Sequence, residues 1–346
     1  MNALPETTRP DEAAGRAAVE RYTAPPSRLA RIVRSWEFLL VVLFAAGFVA
    51  CSLASPYFLD IWNLSDATFN FTEKAIVALP MALLIIGREI DISVAGIIAL
   101  ASVMMGLAAQ AGAAWWIVAL VGLGTGLACG MVNGALVTLF RVPAIVATIG
   151  TMSLYRGVGY AILGDQVIKS YPEGFEVFGQ GYAWGPLSIE FAIFLGLAAL
   201  FAVVLHRTVV GRRLFAIGNS PTVALFSGIA VERYRFMLFA VVGLASGLAS
   251  VCLTSRLGST RPSIAVGWEL EIITMVVLGG VSILGGVGSI LGVVLAALLM
   301  GLVTFGLGLL NVPGIVMQIV VGGLLIAVIS VPVVLTRAGI IRPSRR

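Results

Sequence analysis

Runs of about 20 consecutive apolar residues recur along most of this 346-residue chain. A run of that length, about 20 residues, is what an α-helix needs to cross the hydrocarbon core of a bilayer. Apolar residues make up 59% of the chain and charged residues only 11%. A soluble protein of this size has too few charges to cover so much apolar surface. The sequence therefore predicts an all-α polytopic membrane protein that lies in the lipid bilayer.

The apolar runs indicate about ten transmembrane helices, and several of them are joined by short junctions rich in Gly or Pro. The spans are expected near residues 36–55, 74–87, 92–110, 115–140, 143–163, 188–206, 235–254, 269–281, 289–310 and 314–335. We expect residues 1–35 to form a disordered cytosolic tail, 36–336 the transmembrane domain and 337–346 a second cytosolic tail.

The distribution of basic residues predicts how the ten predicted spans are oriented in the membrane. With the first residue in the cytoplasm, 17 of the 22 Lys and Arg residues fall on the cytoplasmic side. Cytoplasmic loops of membrane proteins carry such an excess of positive charge. An even number of spans then places both termini in the cytoplasm, residues 164–187 in a periplasmic loop and residues 206–235 in a cytoplasmic loop.

A partial internal repeat is visible in the chain. Residues 87–107 resemble residues 280–302, with Gly87 matching Gly280, and V-P-A-I-V at 142–146 matches V-P-G-I-V at 312–316. Interrupted helices at related positions of two repeats are typical of transporters.

Three charges stand between two apolar runs in Gly87-Arg88-Glu89-Ile90-Asp91-Ile92-Ser93, with no real loop to hold them. Charges this close to the hydrocarbon core are costly, so they usually pair or face water. One interpretation is a tight turn in which Asp91 or Ser93 caps the next helix and Arg88 pairs with a carboxylate. The other is a gate at the cytoplasmic end of a transport pathway, and the two interpretations are compatible.

The loop 206–235 combines arginines with apolar residues such as Leu214, Phe215 and Phe226. Pro221 can begin a short helix and Gly228 can end it. The composition suits either the membrane surface or a partner protein.

The chain has no candidate catalytic set, metal site or cofactor site. Its only lysines, Lys74 and Lys169, lie outside any phosphate-binding Gly-rich motif, so ATP would have to be used by a separate subunit. The net charge of +5 reflects membrane orientation, and nucleic acid is not an expected partner.

Four segments carry a resemblance to a known family. They are G-R-E-I-D-I-S-V-A-G at 87–96, V-P-A-I-V-A-T-I-G-T-M-S-L-Y-R-G at 142–157, G-R-R-L-F-A-I-G-N-S-P-T-V-A-L-F-S-G-I at 211–229 and V-V-L-G-G-V-S-I-L-G-G-V-G-S-I-L-G at 276–292. The chain resembles the permease subunits of bacterial sugar ABC importers, in the group for ribose, xylose and autoinducer-2. Segments 35–40, 63–74 and 252–265 look most like rhamnose permeases, whereas Arg88 stands where many relatives have Gly.

The resemblance implies a permease of the bacterial inner membrane that is not itself an enzyme and imports a monosaccharide by alternating access. Its implied partners are ABC ATPase subunits, which hold ATP and Mg, a periplasmic sugar-binding protein, and a second permease copy or a sister permease. The residues implied to couple the permease to the ATPase are Gly211, Arg212, Ala216, Gly218, Asn219, Ala224, Gly228 and Ile229. The expected gate or interrupted-helix residues are Gly87, Glu89, Asp91, Ser93, Gly280, Gly285 and Gly286.

The alternative function is an ion- or proton-coupled secondary transporter of a small polar solute. Such a transporter needs an ionisable residue inside a span. On this map nearly all charges fall at span ends, with Arg156, Glu190, Glu269 and Glu271 just inside the outer ends.

Overall fold

A computed structural model describes residues 35–314, 316–317, 319–320, 322–323, 326 and 330. The tail 1–35 is therefore outside the described residues except for Ser35, as are the tail 337–346 and much of the predicted span 314–335. The helices are α1 Trp36–Ala54, α2 Ile61–Ile86, α3 Val94–Gln110, α4 Trp115–Thr138, α5 Ala144–Leu163, α6 Val177–Gln180, α7 Ile189–Arg207, α8 Val209–Asn219, α9 Pro221–Phe226, α10 Val231–Leu257, α11 Trp268–Leu278 and α12 Ile290–Leu309. Strands β1 Tyr182–Trp184 and β2 Leu187–Ser188 pair as an antiparallel hairpin between α6 and α7.

Within the described residues, six helices are long and apolar enough to cross a membrane, namely α1, α2, α4, α7, α10 and α12. Helix α3 is apolar but has 17 residues. At 1.5 Å per residue it is about 26 Å long, somewhat less than the roughly 30 Å of the hydrocarbon core. Helix α11 is shorter still, with 11 residues. The count of ten transmembrane helices is thus not confirmed, although an observed helix overlaps each of the first nine predicted spans.

Helix α2 differs most from its predicted span. The apolar run predicts residues 74–87, whereas the helix begins at Ile61 and has 26 residues. The Asp60 side chain caps it by accepting hydrogen bonds from the backbone N–H groups of Trp62 and Asn63. Asp66 and Glu73 lie in the N-terminal half of α2, which the predicted orientation makes its outer half. These polar residues lower the local hydropathy, so the apolar run does not predict this part of the helix. In the fold these polar residues have partners, and most of the helix is buried.

The α4–α10 pair is packed at the centre of the protein through glycines on both helices. A Cβ atom on Gly126 would lie 2.4 Å from the Gly243 carbonyl oxygen, and one on Gly130 would lie 2.4 Å from that of Phe239. Small residues allow membrane helices to approach this closely, as the Gly-rich run at 122–126 suggests. The same contact positions Asn133, farther along α4, beside the segment that joins α2 to α3.

The segment 164–187, predicted as a periplasmic loop, packs against the C-terminal end of α10, which is its predicted outer end. The Ser255 hydroxyl accepts a hydrogen bond from the Gly179 N–H and donates one to the Phe175 carbonyl. The hydroxyl of Tyr171 is paired with that of Thr260, and burial raises the pKa of Tyr171 to about 12. This segment therefore covers the ends of the helices beneath it.

The loop 206–235 folds into two short helices, α8 and α9. The side chains of Thr208 and Ser220 cap them, and Pro221 is the first residue of α9, as the sequence predicts. The chain turns at Gly228, which has φ of 81°. Ile217, Ala224 and Val231 form a small buried cluster that holds α9 against α8 and the start of α10.

Candidate functional site

Three segments far apart in the sequence meet at the predicted inner face. We call this contact the inner junction and define it as residues 86–93, 217–219 and 280–289. The N–H of Gly286 donates to the carbonyl oxygen of Ile86 at 2.9 Å, and Nε of Arg88 donates to the carbonyl oxygen of Leu284 at 2.8 Å. The segments that interrupt the two repeats, after α2 and after α11, are therefore directly bonded to each other.

The end of α8 inserts between these two segments at Gly218. A Cβ atom at this position would lie 2.0 Å from the Ile86 carbonyl oxygen and 2.3 Å from the Gly286 nitrogen. Beside it, a Cβ atom on Gly286 would lie 3.0 Å from Oδ1 of Asn219. The structure thus brings Gly218 and Asn219, two residues predicted to couple to a partner, into contact with Gly286, a predicted gate residue.

Positive φ angles at the inner junction explain why glycine recurs there. Gly285 and Gly286 have φ of 81° and 73°. Arg88 also has a positive φ, 71°, a conformation that costs an L-residue with a Cβ roughly 1–2 kcal/mol. The expected Gly at this position would avoid that cost, and the Arg88 guanidinium instead bonds to Leu284.

Glu89 is buried and lies beside the start of α10. Its Oε1 forms an ion pair with Nε of Arg235 at 2.9 Å, and Arg235 also bonds Glu232 at 3.1 Å. Burial raises the pKa of the Glu89 carboxyl, although the neighbouring Arg235 charge opposes that shift. We call residues 87–93 the charged turn. Glu89, Glu232 and Arg235 line a cavity of about 680 Å³ between the charged turn and α9, and Phe226 of α9 also lines it.

Asp91 is fully buried and does not pair with Arg88, whose guanidinium bonds the Leu284 carbonyl, so the interpretation in which Arg88 pairs with a carboxylate does not hold among the described residues. Its Oδ1 accepts hydrogen bonds from the Ser93 N–H at 2.8 Å and the Ser93 hydroxyl at 2.6 Å. Its Oδ2 accepts a bond from Nδ2 of Asn133 at 3.1 Å, and Oδ1 of Asn133 accepts one from the Tyr155 hydroxyl at 3.0 Å. Ser93 is the residue that precedes α3, and it makes no side-chain cap bond. Ser93 therefore caps α3 through its backbone carbonyl, and Asp91 holds Ser93 in place. Through Asn133 and Tyr155, Asp91 also ties the turn to α4 and α5.

The remaining predicted gate residues have other neighbours. The Gly87 N–H bonds the Leu83 carbonyl and ends α2. Gly280 has φ of 84°, and a Cβ atom there would lie 2.7 Å from the ring of Trp36 on α1. The Trp36 indole N–H in turn donates to the Leu278 carbonyl at 2.7 Å. Gly280 is thus packed against α1.

The predicted coupling residues divide into internal and exposed sets. Gly211 lies against the Leu205 carbonyl, and Ala224 is only 2% exposed and packed inside its own segment. Ala216 and Ile229 are half-buried, whereas Arg212, Asn219 and Gly228 are exposed. The apolar side chains that project outward from α9 are Val223, Leu225 and Phe226, the last of them 87% exposed. Ala224, one of the residues implied to couple to the ATPase, is therefore internal, and its neighbours Val223 and Leu225 are the exposed side chains.

The sequence places Glu190 and Glu271 just inside the predicted outer ends of spans, but it does not predict the buried charged cluster in which they lie. Nε of Arg256 on α10 donates to Oε1 of Glu73 on α2 at 2.7 Å, and Glu73 is fully buried. Glu190, in the first turn of α7, is also fully buried, and neither of its carboxyl oxygens has a hydrogen-bond partner among the described residues. A second ion pair joins Lys74 and Glu271, which lie 2.5 Å apart. The polar run N-F-T-E-K at 70–74 is the part of the sequence that could have indicated this cluster, but the predicted span 74–87 begins only at its last residue.

Comparison with known proteins assigns the family. Residues 63–329 match the family described as branched-chain amino acid transport system / permease component. The chain is 37% identical to the autoinducer 2 import system permease protein LsrD of Escherichia coli (strain K12) over 305 residues, which cover 86% of this chain and 92% of that protein. The LsrD protein of Shigella flexneri matches with the same identity and coverage. No solved structure matches the chain. The chain therefore belongs to this permease family, whose members are membrane transport subunits and not enzymes.

Proposed function

We propose that the chain is the transmembrane permease subunit of an ATP-driven ABC importer that moves a monosaccharide from the periplasm to the cytoplasm. The family assignment and the LsrD relatives support an import permease. The observation that carries the proposal is the inner junction, because it links the α8–α9 segment to both interrupted helices through backbone contacts.

The exposed tip of α9 is the surface proposed to bind the ATPase. Val223, Leu225 and Phe226 present apolar side chains at the predicted cytoplasmic face, where a soluble subunit can bury them. The chain has no nucleotide-binding motif of its own, so ATP and Mg would be held by that subunit. Two ATPase subunits, a periplasmic sugar-binding protein, and a second permease copy or sister permease complete the proposed assembly.

The inner junction gives a route from ATP to the transport pathway. A displacement of α9 moves α8 through the cluster of Ile217, Ala224 and Val231. Gly218 has no space to slide past Ile86 or Gly286, so the displacement moves the segments after α2 and α11 together. Alternating access by rigid-body motion of packed elements requires such a stiff connection.

Rhamnose is the sugar proposed on the sequence resemblance. The relatives are named for autoinducer 2 import, so an uptake experiment has to compare rhamnose with autoinducer 2 and with other sugars. Uptake of labelled L-rhamnose, D-ribose, D-xylose and autoinducer 2 into vesicles that contain the full assembly identifies the substrate. Uptake of L-rhamnose in preference to the others is the expected result.

Substitution of Phe226 tests the coupling surface. We expect Phe226→Ser to release the ATPase subunit on co-purification and to abolish ATP-dependent uptake, because it removes the most exposed apolar side chain of α9. Phe140→Ser is the matched control, since Phe140 is 71% exposed on the same predicted side but lies outside α8 and α9. Full ATPase binding by the Phe226 variant would remove α9 from this role.

A secondary transporter is the second candidate function, favoured by one observation. Glu73, Glu190 and Arg256 are ionisable groups inside or at the end of candidate membrane spans, and the two carboxyl groups are fully buried. Intramembrane carboxyl groups of this kind occur in proton relays. Uptake driven by a proton or sodium gradient, without ATP or an ATPase subunit, would establish this alternative and exclude the first proposal.

A further inference from the structure

A cavity of about 410 Å³ lies between α2, α11 and α12, far from the inner junction. It is lined by Asn70 and Lys74 of α2, Glu271 of α11, Thr304, Phe305, Gly308 and Leu309 of α12, and Gly314 and Met317 beyond α12. Thr304 is five residues from the end of α12, so the cavity lies near the predicted periplasmic side. Its volume falls in the range of about 300–1,000 Å³ that is typical of sites for small molecules.

The polar lining of this cavity is unusual for the interior of a membrane protein. Asn70 and Lys74 are one turn apart on α2 and therefore lie on the same face of that helix. Lys74 is fixed by its ion pair with Glu271 and by the Trp268 ring, whose centroid is 4.9 Å from Nζ. The Thr304 hydroxyl donates to backbone carbonyls one turn earlier in α12, which leaves its oxygen free to accept. Polar side chains inside a span are costly and usually serve a transport pathway.

The charges of the cavity restrict the ligand that it can hold. The Lys74 ammonium and the Glu271 carboxylate cancel, so the lining carries no net charge. The ammonium keeps further N–H donors, the carboxylate a second acceptor oxygen, and the Asn70 amide offers both kinds of group. A hydroxyl group both donates and accepts, so a neutral molecule rich in hydroxyls satisfies these groups without bringing an uncompensated charge. The Phe305 ring adds an apolar surface for the C–H face of such a molecule.

We propose that this cavity is a binding subsite for a neutral polyhydroxylated solute, of monosaccharide size, on the outer part of the import pathway. Asn70, Lys74, Glu271 and Thr304 supply its hydrogen bonds, and Phe305 contacts the apolar face of the solute. The proposal rests on the proposed sugar import, since it names where the permease itself contacts the sugar.

Protection of an introduced cysteine tests the subsite without transport. In the assembled transporter, Thr304→Cys is made in a Cys51→Ala background, because Cys51 is the only half-buried native thiol among the described residues. A small methanethiosulfonate reagent then labels the introduced thiol with and without millimolar L-rhamnose, D-ribose or D-xylose, and with L-leucine as a zwitterionic control. We expect at least one sugar to slow the labelling several-fold and L-leucine to leave it unchanged. Thr125→Cys on α4, a position outside the cavity, should show no protection.

Polar-to-apolar substitutions test the same site through transport. Asn70→Leu and Thr304→Val keep the number of side-chain heavy atoms but remove the hydrogen-bonding groups. With the sugar-binding protein saturated, each should lower the maximal uptake rate about tenfold, the value of one lost hydrogen bond. Thr125→Val is the matched control, because the Thr125 hydroxyl also donates to a carbonyl one turn earlier, at 2.8 Å, but away from the cavity.

The outcomes separate the subsite from the proposed function. Sugar uptake with normal rates in both apolar variants, together with an unprotected thiol in the Thr304→Cys variant, overturns the subsite and leaves the import proposal standing. Protection by a sugar without ATP-dependent uptake supports the subsite and overturns the import proposal. Protection by L-leucine alone overturns the assignment to a neutral polyhydroxylated solute.

Discussion

Helix α2 is held by backbone contacts at its inner end and by charged side chains in its outer half. At the inner end, the Ile86 carbonyl accepts a hydrogen bond from Gly286 and lies against Gly218. In the outer half, Glu73 pairs with Arg256 and Lys74 pairs with Glu271. Backbone contacts through glycine have little freedom to adjust, whereas ion pairs can exchange partners with a solute or with water. We therefore expect the inner end to transmit motion and the outer half to receive the solute.

The largest effect is expected from Arg256→Met, which tests the outer half. The substitution leaves the Glu73 carboxylate fully buried without its cation. Removing one partner of a buried ion pair costs about 3–5 kcal/mol. The melting temperature of the detergent-solubilised protein should fall accordingly, whereas Arg261→Met, at an exposed position, should leave it unchanged. Adding Glu73→Gln should restore part of the loss, and equal melting temperatures for wild type and Arg256→Met would show that the pair stabilises nothing.

Asp91 tests the network that ties the charged turn to α4. Asp91→Ala leaves the Ser93 N–H, the Ser93 hydroxyl and the Asn133 amide without their acceptor, so we expect a loss of about 3 kcal/mol. Asp91→Asn keeps the acceptor for Ser93 and disturbs the bond to Asn133, so its loss should be about 1 kcal/mol. Chemical denaturation of both variants measures the difference. Equal large losses would mean that the negative charge itself matters, and equal small ones that the network contributes little.

The sequence predicts the helices from local patterns, but it does not predict the contacts between segments that are far apart in the chain. The continuous apolar runs predicted most helices, and Pro221 and Gly228 marked α9 correctly. The outer half of α2 was missed because its polar side chains have tertiary partners that hydropathy along the chain cannot show. The inner junction joins Ile86, Gly218 and Gly286, which lie far apart in the sequence. The sequence analysis singles out Gly218 and Gly286 separately. Their mutual contact depends on how the helices pack, and no local sequence pattern indicates it.

Gly218→Ala tests whether the inner end transmits motion. The added Cβ would overlap the Ile86 carbonyl and Gly286, so α8 must shift, at a cost of about 1–3 kcal/mol for overpacking. We expect ATP-dependent uptake to fall while the ATPase stays bound, because the exposed tip of α9 is intact. Gly196→Ala in α7 is the control, since a Cβ there meets nothing within 4 Å. Normal uptake by the Gly218 variant would show that the junction is not part of the coupling route.

The smallest effect is expected at Arg88, where the backbone and the side chain make opposite contributions. Arg88→Ala and Arg88→Gly both remove the guanidinium bond to Leu284, so they differ only in the Cβ atom. With φ of 71°, the alanine keeps the strain of the left-handed conformation and the glycine does not. Glycine should therefore be more stable than alanine by about 1 kcal/mol, the reverse of their usual order in a helix. Thermal unfolding of the two variants measures this difference directly. An alanine variant as stable as the glycine variant would mean that the turn relaxes out of the left-handed region, and the fixed geometry of the inner end would then not extend to Arg88.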